Sequence, residues 1–145
     1  MTEDDVFRRV VAFISNIHSI ESDLAQLIQD QELTPLQQNI LRILYFSGPK
    51  NLSSLSQCMN MNLPNSSREV KRLSEADLIL KGSSPFDKRV TQLTLTDSGK
   101  RKVEEGLKLM KESLFSSSGE WTPHRIERVL TSLTILENEL FPSHH

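Results

Sequence analysis

Asn62-Leu63-Pro64-Asn65-Ser66-Ser67-Arg68-Glu69-Val70-Lys71-Arg72-Leu73-Ser74-Glu75-Ala76-Asp77-Leu78-Ile79-Leu80 is the stretch in which the periodicity of the chain changes. Up to Ala76 it predicts a helix. Asn62 suits an N-cap, and Pro64 is tolerated in the first turn because its missing N–H would have no helical partner there. At 100° per residue, Leu63, Ser66, Leu73 and Asp77 fall within about 60° of Val70, while Asn65, Arg68, Arg72 and Glu75 fall on the far side. One face therefore packs and the other offers Asn65, Arg68 and Arg72. After Asp77 the residues turn aliphatic and β-branched. Leu78-Ile79-Leu80 and Val90-Thr91-Gln92-Leu93-Thr94-Leu95 predict a β-hairpin, with Leu93 and Leu95 on one face. Gly82-Ser83-Ser84-Pro85 and the basic tip Asp87-Lys88-Arg89 lie between the two strands.

Upstream, Thr34-Pro35-Leu36-Gln37 has the spacing of a capping box, with Thr34 as cap, Pro35 in the first turn and Gln37 reaching back. Leu36, Ile40, Leu41 and Leu44 then form one apolar face, and Gly48-Pro49 stops the helix. A short helix over about Leu52–Met59 and the Asn60-Met61-Asn62 turn lead into the segment quoted above. Downstream, Thr96 caps a long helix to about Phe115 with Val103, Leu107, Met110 and Leu114 in a heptad row, which Ser116-Ser117-Ser118-Gly119 breaks. Thr122-Pro123 opens a last helix carrying Ile126, Val129, Leu130, Leu133, Leu136 and Leu140, ended by Pro142. At the front, Val6, Val10, Phe13, Ile17, Ile20, Leu24 and Leu27 form another heptad stripe, widened by Val11, Ile14 and Ile28. A helix of roughly 24 residues is about 36 Å long, too long for one compact neighbour to cover.

Helix, helix, helix, hairpin is the order of a winged helix-turn-helix. The fold class expected is mostly α (α+β), with a two-stranded β wing flanked by long N- and C-terminal dimerisation helices. The expected parts are an N-terminal dimerisation helix (1–33), the winged domain (34–96) and C-terminal dimerisation helices (97–145). Three apolar stripes exceed what one small winged domain covers, which implies a second copy of the chain.

The 145 residues carry a net charge of −2 that is unevenly placed: residues 63–102 hold nine bases and five acids, +4, against −6 for the rest. A basic region within an acidic protein suits a polyanion. Arginine matches guanine O6/N7 or phosphate, and asparagine matches adenine N6/N7. Asp87 is spaced to orient Arg89 through a bidentate pair, and an arginine held that way suits a narrow minor groove. The single cysteine, Cys58, excludes an intrachain disulfide and a cysteine-rich zinc site, and is read as a packed small side chain. His18 beside the first stripe and Trp121 are read as packing residues rather than the lining of an effector cleft. The tail His144-His145 brings no further metal ligands with it.

The acidic start Met1-Thr2-Glu3-Asp4-Asp5 and the lack of a long apolar run predict a cytoplasmic protein without membrane contact. No phosphate-cradling glycine loop, His-Glu-x-x-His or nucleophile elbow is present, so neither an enzyme nor a cofactor is expected.

The chain resembles the multiple-antibiotic-resistance regulator (MarR) family of bacterial dimeric winged-helix regulators. The residues that carry the resemblance are Leu33-Thr34-Pro35-Leu36-Gln37, Ser67-Arg68, Val70-Lys71-Arg72-Leu73, Leu78-Ile79, Asp87-Lys88-Arg89 and Leu93-Thr94-Leu95-Thr96-Asp97-Ser98-Gly99. Their order and spacing together are specific. The resemblance implies a homodimer bound to a pseudopalindromic double-stranded DNA operator, a repressor that releases it when a small ligand, oxidant or partner changes the spacing of the recognition helices. It implies DNA contacts from Asn65, Ser67, Arg68, Lys71 and Arg72 on the recognition helix and from Asp87, Lys88 and Arg89 on the wing. Two departures stand out: Asn60 and Asp77 occupy positions where the family often has glycine, and both residue types tolerate positive φ better than most. The competing reading is a winged-helix protein–protein interaction module that binds no DNA.

Overall fold

A computed structural model of the chain describes residues 1–27, 33–116 and 118–142. The elements run α1 (Glu3–Leu27), α2 (Pro35–Ser47), β1 (Lys50–Asn51), α3 (Leu52–Cys58), α4 (Leu63–Glu75), β2 (Ile79–Ser83), β3 (Thr91–Leu95), α5 (Asp97–Ser116) and α6 (Pro123–Leu140). The chain is mostly α with a β wing, in winged helix-turn-helix order. It divides into two compact units, Met1–Lys111 and Glu112–His145.

Local sequence sets most of the boundaries. Thr34 and Gln37 close the expected capping box: Thr34 Oγ1 accepts from the Gln37 N–H at 3.2 Å, and Gln37 Oε1 accepts from the Thr34 N–H at 3.2 Å. Asn51, Asn62 and Thr122 cap α3, α4 and α6 by the same use of a side-chain oxygen. Gly48 ends α2 at φ 77°, its N–H returning to the Leu44 carbonyl. Asn60 and Asp77, the two residues standing where glycine is frequent, have φ of 51° and 60°.

Ile40, Leu41 and Leu44 of α2, Leu55 of α3, Val70 and Leu73 of α4, Leu78, Ile79 and Leu93 of the wing base and Val103 of α5 form one buried core. It closes the winged domain and seats the first turns of α5 on it. Thr96 makes that joint. Its Oγ1 donates to the Asp77 carbonyl at 2.6 Å and accepts from the Gly99 N–H at 2.9 Å, so one hydroxyl caps α5 and ties it to the turn before β2. α5 and the turn before β2 approach so closely here that a Cβ on Gly99 would overlap the Leu78 carbonyl oxygen. Gly99→Ala is therefore expected to lower stability by about 1–3 kcal/mol through overpacking, read as a shift of the urea midpoint with an unchanged slope.

The sheet adds one short strand to the expected two-stranded wing, in the order β1-β3-β2, because Lys50 and Asn51 pair with Leu93 and Gln92. The wing itself is the two-stranded antiparallel pair, with Ile79 opposite Leu95 and Ser83 opposite Thr91. Other expectations are corrected. β2 extends through Gly82 and Ser83, which were expected in the loop. Leu63, placed on the packing face by its phase, is 51% exposed, since the first turn of α4 precedes the seat formed by Ser66, Val70 and Leu73. Asp77 lies beyond the helix end, where its helical phase has no meaning, and is exposed. Cys58 is exposed rather than packed, because α3 buries Leu55 and Ser56 instead.

The apolar rows outside the core remain largely open. Val6, Phe13 and Ile17 of α1 are 41–56% exposed, and Leu130, Leu133 and Leu136 of α6 are 41–60% exposed. No residue of α6 is buried. Ile28 and the tail His144-His145 lie outside the described residues, as do the side chains of Leu24 and Leu27. Among the described residues, no helix is long and apolar enough to cross a membrane.

Candidate nucleic-acid interface

α4 is steeply two-sided. Ser66, Val70 and Leu73 are buried, while Ser67, Arg68, Lys71 and Arg72 are exposed and Asn65 is half-buried. The outward residues are braced. Asn65 Oδ1 accepts a hydrogen bond from the Arg68 guanidinium, so these two sequence-predicted residues form a single polar unit at the N-terminal end of α4. Arg72 Nη1 lies 3.1 Å from Glu69 Oε1. Glu69 is in turn gripped from α2, where Gln37 Nε2 donates to its other carboxylate oxygen at 3.0 Å. Gln37 thus caps its own helix with one amide atom and anchors α4 with the other. Lys71 and Ser67 make no such contact among the described residues.

Sequence reasoning assigned neither Gln37 nor Glu69 to this surface. The capping spacing gives Gln37 a local role, but its partner lies 32 residues away, and only the packed fold brings the two together. Glu69 sits on the flank of α4, where an acid among bases looks like ordinary charge mixing. Its physical effect is to hold Arg72 in one orientation while reducing the net positive charge of the surface.

The wing tip has the clasp its spacing suggested. Arg89 reaches Asp87 with Nε to Oδ1 at 3.2 Å and Nη2 to Oδ2 at 3.3 Å, and its backbone N–H donates to Oδ1 at 3.0 Å. Asp87 is half-buried by its partner, whereas the Arg89 side chain is 90% exposed. Lys88 beside them is exposed. The side-chain bond from Arg89, then its backbone N–H, hold the Asp87 carboxyl below its ordinary value of 3.8. A depressed acid contributes above its ordinary pKa and loses that contribution as pH falls through its folded value, so the clasp is fully ionised at neutral pH. We expect the Asp87 carboxyl carbon to titrate in NMR with a midpoint below 3.8 and to return toward that value in Arg89→Ala.

Elsewhere, His18 Nδ1 lies 3.6 Å from the Glu21 carboxylate, both side chains exposed. Trp121 stacks edge-on against Phe115 and under Arg125, and its indole N–H donates to Ser118. A shallow polar cavity of about 230 Å³ between β1 and the outer end of the hairpin is lined by Pro49, Lys50, Asn51, Ser54, Ser84, Val90 and Gln92. Among the described residues, no cluster of three or more His, Cys, Asp or Glu side chains is placed to hold a metal ion.

Residues 33–91, from the capping box of α2 to the clasped wing tip, match the MarR family model. The HTH-type transcriptional regulator TcaR of Staphylococcus aureus (strain Newman) is 25% identical over 131 residues, covering 88% of this chain and 86% of its own length. Among solved structures, a MarR family protein from Bacillus stearothermophilus superposes with a TM-score of 0.82 at 18% identity, covering 97% of this chain and 98% of the other. The F27L mutant of S. aureus MepR, solved bound to an oligodeoxyribonucleotide, has a TM-score of 0.63 at 20% identity, covering 97% and 99%. At such identities the two structures establish a shared fold. With the family match confined to the winged domain and a relative alike over most of its length, the chain is similar to MarR family proteins and to HTH-type transcriptional regulators.

Proposed function

We propose that the chain acts as a homodimer that occupies a pseudopalindromic operator, reading the major groove with Asn65, Ser67, Arg68, Lys71 and Arg72 and anchoring with Asp87, Lys88 and Arg89 of the wing. The observation that carries this reading is the braced, outward row of α4 on the same compact unit as a clasped, exposed arginine. Pre-oriented guanidinium groups suit base edges and narrow grooves, because less side-chain entropy is lost on contact. The dimer is supported by the open apolar rows of α1 and α6, and the division into 1–33, 34–96 and 97–145 assigns those rows to dimerisation. Two copies place their reading helices about one helical turn apart, about 10 base pairs.

The regulator is proposed to be cytoplasmic and to repress by excluding transcription from the occupied site. It responds to a small ligand, oxidant or partner that changes the spacing of the two reading helices. The reading is supported by the MepR F27L mutant, which shares the fold and is bound to an oligodeoxyribonucleotide. The test is a gel shift of genomic fragments at two salt concentrations. Specific retention that weakens steeply as salt rises supports the proposal, since released counterions make phosphate contacts salt-dependent. Absence of retention at low salt favours an interaction module.

A further inference from the structure

The wing tip carries a residue that its basic chemistry does not explain. Phe86 is 96% exposed, and its position is fixed by the backbone. The Ser84 N–H donates to the Val90 carbonyl at 2.9 Å and the Val90 N–H to the Asp87 carbonyl at 3.1 Å, closing the loop. The Phe86 N–H is taken by Ser84 Oγ at 3.3 Å. Pro85 restricts the chain just before it. A loop tied at these points presents a phenyl ring to water next to the Asp87–Arg89 clasp, three residues from Arg89.

We propose that Phe86 is an apolar wedge for the DNA minor groove, packing against deoxyribose and the edge of a loosened base step while Arg89 occupies the groove beside it. This rests on the DNA-binding reading of the wing. The occupant follows from the neighbours. Lys88 and Arg89 outnumber Asp87 at the tip and Lys81 adds a cation on β2, so the surface around the ring attracts a polyanion. Sugar C–H faces lining the minor groove are the apolar surface that a polyanion offers. Phenylalanine wedges open base steps most readily at flexible pyrimidine–purine sequences. The wing then contributes to specificity by selecting deformable DNA, without a hydrogen bond to any base.

The wedge has a signature that separates it from a phosphate contact, because a phenyl ring releases no counterions. The experiment titrates wild type, Phe86→Ala, Phe86→Leu and Arg89→Ala against a duplex enriched from random sequence by the wild-type protein, across a salt series. Phe86→Ala is expected to weaken binding about 10-fold with an unchanged salt slope. Phe86→Leu should recover most of the loss, and Arg89→Ala should flatten the slope. A second readout uses Phe86→Trp in a Trp121→Phe background, so that the only indole reports from the tip. Quenching of its emission by the duplex supports stacking, and unchanged emission overturns the proposal. Wild-type binding of normal salt dependence with Phe86→Ala unaffected also overturns it, including the case where Phe86→Ala loses only regulation in cells, which assigns the ring to a protein. Failure of the wild type to bind any duplex would instead sink the underlying DNA reading.

Discussion

Replacing Leu130 and Leu133 of α6 with glutamate is expected to turn a dimer into a monomer and to lower operator affinity by about 10²- to 10⁴-fold, the loss of one of two linked binding events. Both side chains are open in the single chain, 60% and 43% exposed, so the substitutions remove nothing from its core. Helical content should be retained. In the proposed dimer the same positions are desolvated, and each buried carboxylate without a partner opposes association strongly. Sedimentation at micromolar concentration reads the assembly, and titration of the operator reads the affinity. Wild-type sedimentation as a monomer, or an unchanged dimer in the double variant, would remove α6 from the interface.

The second large effect divides reading from anchoring. Arg68 stands in the N-terminal half of α4, the part of a recognition helix that reaches base edges, and is braced there by Asn65. Arg68→Ala should cost about 1–3 kcal/mol on the operator and relax preference at one base pair of each half-site, while binding to unrelated DNA is preserved. Arg89→Ala should weaken specific and non-specific binding alike and make the salt slope shallower by about one unit per lost contact in each subunit. Asp87→Ala acts in the same direction as Arg89→Ala but more weakly, since it frees the guanidinium and keeps its charge. Equal losses on both duplexes for Arg68→Ala, or an unchanged slope for Arg89→Ala, would mean that the two surfaces exchange roles.

The features legible in the sequence are those governed by neighbours in the chain. The capping box at Thr34 and Gln37, the caps at Asn62 and Thr122, the outward phase of Arg68 and Arg72 and the clasp between Asp87 and Arg89 all depend on residues two to four apart. The positive φ at Asn60 and Asp77 was legible for a similar reason, because few residues other than glycine tolerate it. What escaped the sequence depends on distant partners. β1 is two residues long and exists only because β3 lies beside it, so no periodicity announces it. The bond from Gln37 to Glu69, which sets the pose of Arg72, joins two helices. Leu63 was misplaced because helical phase gives a direction and not the extent of the surface a helix packs against, and Cys58 because the general tendency of a lone cysteine to be buried does not say which residues of a short helix face the core.

Enrichment from a random duplex library by the full chain tests the central claim most directly, because it assumes neither operator nor effector. The expected result is a pseudopalindrome whose half-site centres lie about 10 base pairs apart, bound by two copies of the chain with an affinity that falls steeply with salt. A library that stays random, with no retention even at low salt, contradicts a regulator that reads DNA through α4 and the wing.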